Sequence, residues 1–590
     1  MNRDRRKAPI STKREDEAVS PIEHEYKQLE PLTWSPEVYL AFKVLISARL
    51  CAAVWSNISD CDETYNYWEP THYLMYGSGM QTWEYSPLYA IRSYAYLWIY
   101  ALPGLVYDNL LQNQRMLVFY FMRCVIGFVE AGCEIYFYRA IRRKFGDHVA
   151  KLYVLLSTFS AGMFISSTAF LPSSFAMKML MVSYAAWWKQ NLFLAVFATA
   201  LSVFVGWPFA GALGIPIAID IVFYRREIQQ FVRHGILSVM IILPIVMAID
   251  TFYFGKSTIA ALNIVAYNVF SEHGPNLYGT EPLSFYLKNG VINFNYAFPM
   301  ALAALPLLLL TKLYKVPTER LQALPLLGMY IWFAIFFSQP HKEERFLFPV
   351  YPLINLNAVV TFDLIQRWAH RLFFKGGASS IKHHLEINEK WWLIPLMLSC
   401  FLGMSRSILL YKGYHAPITT GMELGRLANP ESLNRPPVPS QPVHLCVGKE
   451  WYRFPNSFFL PDHWELHFIK SEFRGQLPKP FEKGKFATRR IPTDMNDANK
   501  EEVSRYFPLS KCNYLIDSET VVVSSREPNF TKHPDFRVVH STMFLDTANS
   551  PIYSRLVYIP LVFETKSSFI KYNILENVKL PIVYKNNGKE

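Results

Sequence analysis

Apolar segments long enough to cross a lipid bilayer recur between residues 37 and 410. A helix that spans the hydrocarbon core needs about 20 consecutive apolar residues. Inside lipid the backbone polar groups must be satisfied within the segment, so these segments are expected to be helices. The eleven predicted spans lie near residues 37–55, 117–138, 148–168, 172–188, 190–205, 208–223, 234–254, 296–314, 321–338, 346–364 and 391–410.

The composition excludes an ordinary soluble protein. Of the 590 residues, 51% are hydrophobic and only 18% are charged, against about 25% charged residues in typical soluble domains. Intrinsic disorder and a small disulfide scaffold are excluded by the same figures. The net charge of +12 is interpreted as a sign of membrane topology and not of nucleic-acid binding.

The basic residues predict how the chain is oriented. If residues 1–36 form a cytosolic tail and the apolar stretch 93–107 lies along the membrane surface, every strongly basic loop falls on the cytosolic side, as the positive-inside rule requires. These loops lie within residues 139–144, 225–233, 312–320 and 367–390. An odd number of spans then places residues 411–590 on the opposite side.

Three domains are therefore predicted. A cytosolic tail (1–36) precedes a transmembrane catalytic module (37–410), whose loops 56–116, 255–295 and 339–345 lie on the non-cytosolic side. Residues 411–590 are polar, rich in proline near 429–442, and contain stretches of alternating polarity. This pattern favours a small β-rich domain.

The first non-cytosolic loop combines carboxylates with aromatic rings. Carboxylates accept hydrogen bonds from sugar hydroxyls and the apolar face of a sugar packs on aromatic rings, so the pattern favours a carbohydrate site. A carboxylate in this position is also suited to act as a general base, for which Asp62 and Glu63 are the candidates. The alternative is an interfacial aromatic belt with solvated acids. The residues predicted to bind sugar here are Tyr65, Tyr67, Trp68, Glu69, Trp83 and Glu84.

A second cluster of ionisable residues begins at His341. Lys342 and Arg345 are suited to hold a phosphate, since Arg345 offers a bidentate fork and His341 adds a hydrogen-bond donor. The alternative is a connector whose charges pair among themselves.

The loop 255–295 is punctuated by glycines and prolines, which favours an ordered binding loop. His273, Tyr278 and Glu281 are its predicted sugar-binding residues, although His273 is equally suited to a structural hydrogen bond.

No nucleotide site is apparent in the sequence. There is no G-x-G-x-x-G after a strand, no Walker A motif, and no D-x-D placed as a metal clamp. A sugar donor is therefore expected to be carried by a lipid, with neither a metal nor another cofactor.

Five motifs resemble one family. They are CDETYNYWEPTHYLMYG (61–77), TWEYSP (82–87), LPSSFAM (171–177), HGPNLYGTEP (273–282) and HKEERFLFP (341–349). The family is that of the asparagine-linked-glycosylation α-1,2-mannosyltransferases, in glycosyltransferase family 22 of the polytopic GT-C superfamily. The resemblance covers nearly the whole chain.

The resemblance implies an enzyme of the endoplasmic reticulum membrane with a lumenal active site. It implies dolichyl-phosphate-mannose as donor and a lipid-linked Man-GlcNAc2-diphosphodolichol oligosaccharide as acceptor, elongated at two non-consecutive steps. A β-linked donor that gives an α-linked product means inversion, with a catalytic acid of the first lumenal loop, Asp62 or Glu63, as base. In an oxidising lumen, Cys446 and Cys512 are expected to form a disulfide, since they are the only cysteines of the tail.

Other classes of protein are also compatible with a polytopic chain. A lipid or sugar transporter or flippase would show internal repeats and broken helices near mid-membrane, and no such symmetry is visible. A mannosyltransferase of the glycosylphosphatidylinositol pathway and an inactive scaffold subunit are the remaining alternatives. Protein partners are not indicated by the sequence.

Overall fold

The computed structural model describes residues 35–111, 114–270, 275–316, 318, 321–373, 378–429, 438–519 and 523–584. Residues 1–34 of the predicted cytosolic tail lie outside this described part. The described chain is mainly helical as far as residue 428, and most of its strands follow.

The helices of the first part account for most of the predicted apolar segments. They are α1 (Val38–Trp55), α2 (Cys61–Glu63), α3 (Glu69–Tyr76), α4 (Tyr94–Leu111), α5 (Arg115–Phe145), α6 (Asp147–Phe159), α7 (Ala161–Ser166), α8 (Pro172–Trp188), α9 (Leu192–Leu201), α10 (Ile215–Ile219), α11 (Ile228–Phe254), α12 (Ala260–Phe270), α13 (Ser284–Phe294), α14 (Ala297–Leu313), α15 (Leu327–Ser338), α16 (Tyr351–Phe373), α17 (Ala378–Tyr414) and α18 (Ala416–Ala428).

Five helices of the described residues are long and apolar enough to cross a membrane. A sixth span results if α13 and α14, which are bent by 109° relative to each other, are taken together. The five are Val38–Trp55, Arg115–Phe145, Ile228–Phe254, Glu344–Leu372 and Leu393–Tyr414. The helical membrane architecture is thus confirmed, whereas the count of eleven spans stays a prediction because several predicted spans are shorter or broken helices.

The stretch predicted to lie along the membrane surface forms the 18-residue helix α4, which contains Pro103. It is not among the five helices that meet the length and hydropathy requirements for a span. Its predicted surface position remains a prediction.

The C-terminal part carries a five-stranded mixed sheet. Its strands are β2 (Val443–Val447), β3 (Trp464–Phe468), β5 (Tyr514–Ser518), β6 (Phe536–Leu545) and β7 (Phe569–Asn577), in the order β3-β2-β5-β7-β6. The β2 strand is parallel to both β3 and β5, whereas β7 is antiparallel to β5 and β6. The short helices α19 (Ile552–Leu556) and α20 (Val562–Lys566) precede the last strand.

The C-terminal part is joined to the first loop by backbone pairing. Strand β1 (Met80–Gln81) pairs antiparallel with β4 (Lys479–Pro480). The buried carboxylate of Glu69 accepts hydrogen bonds from the backbone N–H groups of Met80, at 2.8 Å, and Ser457, at 2.6 Å. A buried carboxylate that is hydrogen-bonded in this way holds the two parts together, because losing one partner leaves a desolvated charge. The first loop and the C-terminal part, which the sequence assigns to separate domains, are therefore in direct contact.

The expected disulfide is confirmed, since Cys446 on β2 is bonded to Cys512, which lies just before β5. The other cysteines of the described chain are free. The bond closes a loop with a sequence separation of 66. Replacing Cys512 by Ser is expected to destabilise the C-terminal part by about 3–5 kcal/mol, because the unfolded chain gains conformational entropy.

Thermal melting of the purified protein measures this loss, with Cys51→Ser, which changes a free cysteine in α1, as the matched control. Maleimide labelling of the unreduced, unfolded protein should leave two thiols unlabelled. Labelling of all seven cysteines would contradict the bond.

Candidate functional site

A cavity of about 750 Å³ lies between the first loop, the segment that follows α15, and the C-terminal part. Its polar wall contains Asp60, Asp62, Glu84, Arg92 and Arg345. Pockets of this size hold small organic ligands, usually with a few convergent polar groups on an otherwise apolar surface. The cavity is therefore the candidate active site.

Local helical structure positions the first-loop acids. Asp60 is the N-cap of α2, and its side chain accepts a hydrogen bond from the backbone N–H of Asp62 at 2.9 Å. A π-helical turn, Thr64–Trp68, connects α2 to α3, and α3 is followed by Gly77, whose φ of 72° suits glycine. Asp62 therefore has a fixed backbone at the edge of the cavity.

Arg345 connects the charged residues of the first loop and those of the segment that begins at His341 into one cluster. Its Nε lies 3.1 Å from Asp60 Oδ2, and it also pairs with Asp62 through Nη1 and with Glu343 through Nε. Both side chains line the cavity, and that of Asp62 keeps 29% of its surface exposed. Part of the Asp62 carboxylate thus remains accessible to substrate.

Arg92 forms the second cationic centre. Its guanidinium makes a bidentate pair with Glu84, at 2.7 and 3.0 Å, and donates to the Tyr67 hydroxyl at 2.8 Å. Its Nη2 lies 3.8 Å from Asp62 Oδ2. Asp62 is thus the carboxylate that both arginines approach.

Burial and the charges of the cluster together displace the pKa values of two of its acids in opposite directions. Burial raises the pKa of Asp60 to about 7, against the attraction of Arg345 and with the repulsion of Asp62 and Glu343. Burial also acts to raise the pKa of Glu343, but Arg345 and His341 outweigh it and lower this pKa to about 2. Groups with pKa values displaced by burial and by specific charges are typical of functional sites.

His341 lies in the same wall. Its Nε2 is 3.0 Å from Glu343 Oε1 and its Nδ1 is 2.8 Å from the carbonyl oxygen of Gly279. Burial lowers the pKa of His341, but these two acceptors outweigh burial and raise it above its ordinary value. The ring therefore links the loop that contains Tyr278 to the Arg345 cluster.

Aromatic rings line the cavity on several sides. Trp83 lies 5.2 Å from Tyr267, and Tyr65 lies 5.9 Å from Trp451, between ring centroids. Such rings offer apolar platforms beside the charged groups. The predicted residues that line the cavity are Asp62, Tyr65, Tyr67, Trp83, Glu84, Tyr278, His341 and Arg345.

Glu63 is not brought to the cavity, although it follows Asp62 directly. It is buried, and its Oε1 accepts hydrogen bonds from Trp68 Nε1 and from the backbone N–H of Phe170, both at 3.0 Å. Trp68 is itself fully buried and packs 4.5 Å from the Phe119 ring. The structure therefore gives Glu63 and Trp68 packing contacts away from the cavity wall, and Glu69 joins the first loop to Ser457, as described above.

The remaining predicted binding residues also lie off the cavity wall. Lys342 donates to the backbone carbonyls of Gln339 and, at 2.9 Å, of Glu281. The exposed Glu281 is bound through its backbone, whose N–H donates to the Pro340 carbonyl at 2.9 Å. Lys342 thus closes the loop on which Arg345 lies. His273 lies outside the described residues.

Two groups of described residues have ligand atoms close enough to hold a metal ion. Asp60, Cys61 and Asp62 form one group, although the sequence predicts no D-x-D metal clamp, and His444, Glu465 and His467 form another on β2 and β3. In the first group Arg345 pairs with both carboxylates, so a cation is already supplied by the protein. The absence of a metal requirement stays a prediction.

Several lining residues were missed by sequence reasoning. Asp60 directly precedes the motif at 61–77 and Glu343 lies within the motif at 341–349, so their proximity to predicted residues was the available signal. Arg92 lies within the first loop, and its role depends on a contact with Glu84. Trp451 and Asn499 of the C-terminal part line the cavity without any motif that distinguishes them.

Comparison with known proteins identifies the family. A family model described as the Alg9-like mannosyltransferase family matches residues 40–461. The chain is 48% identical over 563 residues to Alpha-1,2-mannosyltransferase ALG9 of Mus musculus, which covers 94% of this chain and 91% of that protein. It is also 48% identical over 565 residues to Alpha-1,2-mannosyltransferase ALG9 of Homo sapiens, with the same two shares.

A solved structure, ArnT from Cupriavidus metallidurans bound to undecaprenyl phosphate, is similar with a TM-score of 0.46 and 11% identity, over 74% of this chain and 85% of that one. The family resemblance of the sequence motifs is confirmed by the family model and by the two relatives. With residues 40–461 matched and the similarity extending over nearly the whole length, the chain belongs to the Alg9-like mannosyltransferase family.

Proposed function

We propose that this protein transfers mannose from dolichyl-phosphate-mannose, in α-1,2 linkage, to the lipid-linked Man-GlcNAc2-diphosphodolichol precursor of N-glycans. The transfer occurs at two non-consecutive steps on the lumenal face of the endoplasmic reticulum membrane. Membership of the mannosyltransferase family and 48% identity to proteins named α-1,2-mannosyltransferase support the reaction. The same identity does not favour the transporter, scaffold or glycosylphosphatidylinositol-pathway alternatives.

The observation that carries the proposal is the position of Asp62. Its carboxylate lies in the cavity wall, where Arg345 and Arg92 both approach Oδ2 and 29% of the side-chain surface stays exposed. An ionised carboxylate that a substrate can reach takes a proton from an acceptor hydroxyl as the new bond forms. Inversion needs only one such base, because mannose is transferred in a single in-line displacement.

Arg345 acts on the leaving group. As the bond from mannose to phosphate breaks, negative charge grows on the phosphate oxygens, and a preorganised guanidinium stabilises this charge in the transition state. Its three carboxylate partners hold the Arg345 side chain in place before the donor arrives. A protein cation in this role supports a reaction that needs no metal ion, with His341 as an adjacent donor.

The cavity suits a substrate that is part lipid and part sugar. Apolar side chains from the helical part, Trp207, Phe209, Ile335 and Phe336, form one side of the cavity, where an isoprenoid chain fits. Aromatic and amide side chains from the C-terminal part, including Trp451, Phe473, Gln476 and Asn499, form the other. The acceptor glycan is assigned to this second side, because sugars pack on aromatic rings and bond to amides.

Mannose incorporation tests the proposal. Purified protein, dolichyl-phosphate-mannose and a defined lipid-linked acceptor should give an elongated product whose new bond is cleaved by an α-1,2-specific mannosidase. EDTA should leave the rate unchanged. A chain that binds both lipids but forms no product would refute the proposal.

The pKa of Asp60 predicts an acidic limb in the pH profile. Because this pKa is raised to about 7, Asp60 takes up a proton as the pH falls through 7 and no longer supplies a negative partner to Arg345. Transfer is expected to slow by about tenfold for each pH unit well below this pKa, if only the ionised form is active. The measurement is the transfer rate between pH 5.5 and 8.5.

The Asp60→Asn variant is the control for this limb. Its side chain keeps the hydrogen bond to the Asp62 backbone but carries no titrating group, so its rate should be lower and nearly independent of pH across the same range. An unchanged acidic limb in Asp60→Asn would assign the titration to another group.

A further inference from the structure

Helix α8 begins at the cavity, and its first N–H groups have no acceptor among the described residues. Its N-cap residue is Leu171, whose side chain makes no capping hydrogen bond, and Pro172 occupies the first turn. The first N–H groups of a helix have no partner within the helix, and the first helical bond here is from Phe175 N–H to the Leu171 carbonyl, at 3.0 Å. The N–H groups of Ser173 and Ser174 are thus left for another acceptor.

Ser173 provides a second, independent observation. Its side chain is only 5% exposed, and its hydroxyl oxygen has no hydrogen-bond partner among the described residues. The residue lines the cavity together with Leu171 and Pro172. A buried hydroxyl without a partner is costly, since it has lost water without gaining a hydrogen bond. Its position at the cavity indicates that a ligand supplies the missing acceptor.

The N-terminus of helix α8 is suited to bind an anion. Backbone N–H groups and the positive end of the helix dipole favour a negative charge at this position. Helix α8 packs against the segment Glu344–Val350, which contains Arg345, and Arg345 lines the same cavity. Two positive features, a helix N-terminus and a guanidinium, therefore face one space.

We infer that the N-terminus of α8 and the Ser173 hydroxyl bind the phosphate of a polyprenyl-phosphate donor. This inference rests on the proposed function and assigns a further subsite to it. In this subsite Ser173 donates its O–H to a non-bridging phosphate oxygen, while the helix N–H groups face the same phosphate. The LPSSFAM motif at 171–177, to which the proposed reaction assigns no step, thereby acquires a role in donor binding.

Substitutions at two neighbouring serines test the subsite. Ser173→Ala removes the donor hydroxyl, and a hydrogen bond to a charged group lost in this way should raise the KM for dolichyl-phosphate-mannose by about 10- to 100-fold. The KM for the lipid-linked acceptor should not change. Ser173→Thr keeps a hydroxyl and should restore most of the donor affinity.

Ser174→Ala is the matched control. Ser174 is also buried with an unpaired hydroxyl, but it is not among the residues that line the cavity. Its donor KM should equal that of the wild type. Thermal melting of each purified variant separates a folding defect from a binding defect.

Direct binding of dolichyl phosphate separates failure of the subsite from failure of the proposed reaction. The probe is dolichyl phosphate in detergent micelles, added to the full chain and followed by the shift in melting temperature. If the wild type transfers no mannose, a shift that Ser173→Asp abolishes would still support the phosphate site. Equal donor KM and equal dolichyl-phosphate binding in wild type and Ser173→Ala would overturn the inference.

Discussion

Replacing Asp62 by Asn should slow mannosyl transfer by about 10²- to 10⁴-fold, the contribution of a general base to a chemical step. Asn keeps the size of the side chain and most of its hydrogen bonding but cannot take up a proton. The measurement is the transfer rate of purified enzyme at saturating donor and acceptor, where binding no longer limits the rate. The melting temperature should stay close to that of the wild type.

Glu63→Gln distinguishes the two adjacent acids. The Glu63 carboxylate accepts hydrogen bonds from Trp68 and from the Phe170 backbone, so its loss should lower the melting temperature more than the rate per folded molecule. A well-folded Asp62→Asn enzyme within a few-fold of wild type, beside an inactive but folded Glu63→Gln enzyme, would reverse the assignment. Full activity in both variants would exclude this loop as the source of the base.

Arg345→Ala should reduce kcat by about 10²- to 10³-fold, because a preorganised cation is lost at the position where leaving-group charge develops. The effect extends beyond the donor. Asp60, Asp62 and Glu343 all pair with this guanidinium, so its removal leaves three neighbouring carboxylates without their shared partner. The substitution should therefore also disturb the geometry of Asp62.

Arg345→Lys separates charge from geometry. Lys keeps the positive charge but has no planar fork, so it cannot contact several acceptors in the same arrangement, and only partial activity is expected. The control is Lys342→Ala, which removes a neighbouring cation that bonds backbone carbonyls away from the cavity wall. A Lys variant with the kinetics of wild type would contradict a role for the guanidinium fork.

The helical membrane architecture could be predicted because its signal is local. A run of apolar residues long enough for a bilayer must form a helix, whatever its neighbours are. The number of membrane spans was harder to predict from the sequence. Segments such as residues 190–205 are divided in the structure between α9 and a π-helical turn, Ser202–Gly206, and such breaks depend on packing between helices that hydropathy does not register.

The motifs marked the regions of the site, and most of the predicted aromatic and charged residues do line the cavity. The geometry of helix α2 decided which of the two adjacent acids faces the cavity. Consecutive residues of a helix point about 100° apart, so Asp62 and Glu63 leave α2 in different directions, and Glu63 is directed to Trp68 and the Phe170 backbone instead of the cavity. The sequence shows only that they are adjacent, and Glu69 and Lys342 likewise proved to have packing and loop-closing contacts.

The sequence by itself determined that this chain is a membrane-embedded member of a mannosyltransferase family, because hydropathy and motifs are properties of short continuous segments. Only the tertiary structure decided the composition of the site. Arg345 meets Asp60 and Asp62 across most of the helical part, and Trp451 and Asn499 join the cavity from the C-terminal part. Such contacts are set by chain packing between distant segments, and no pattern of neighbouring residues encodes them.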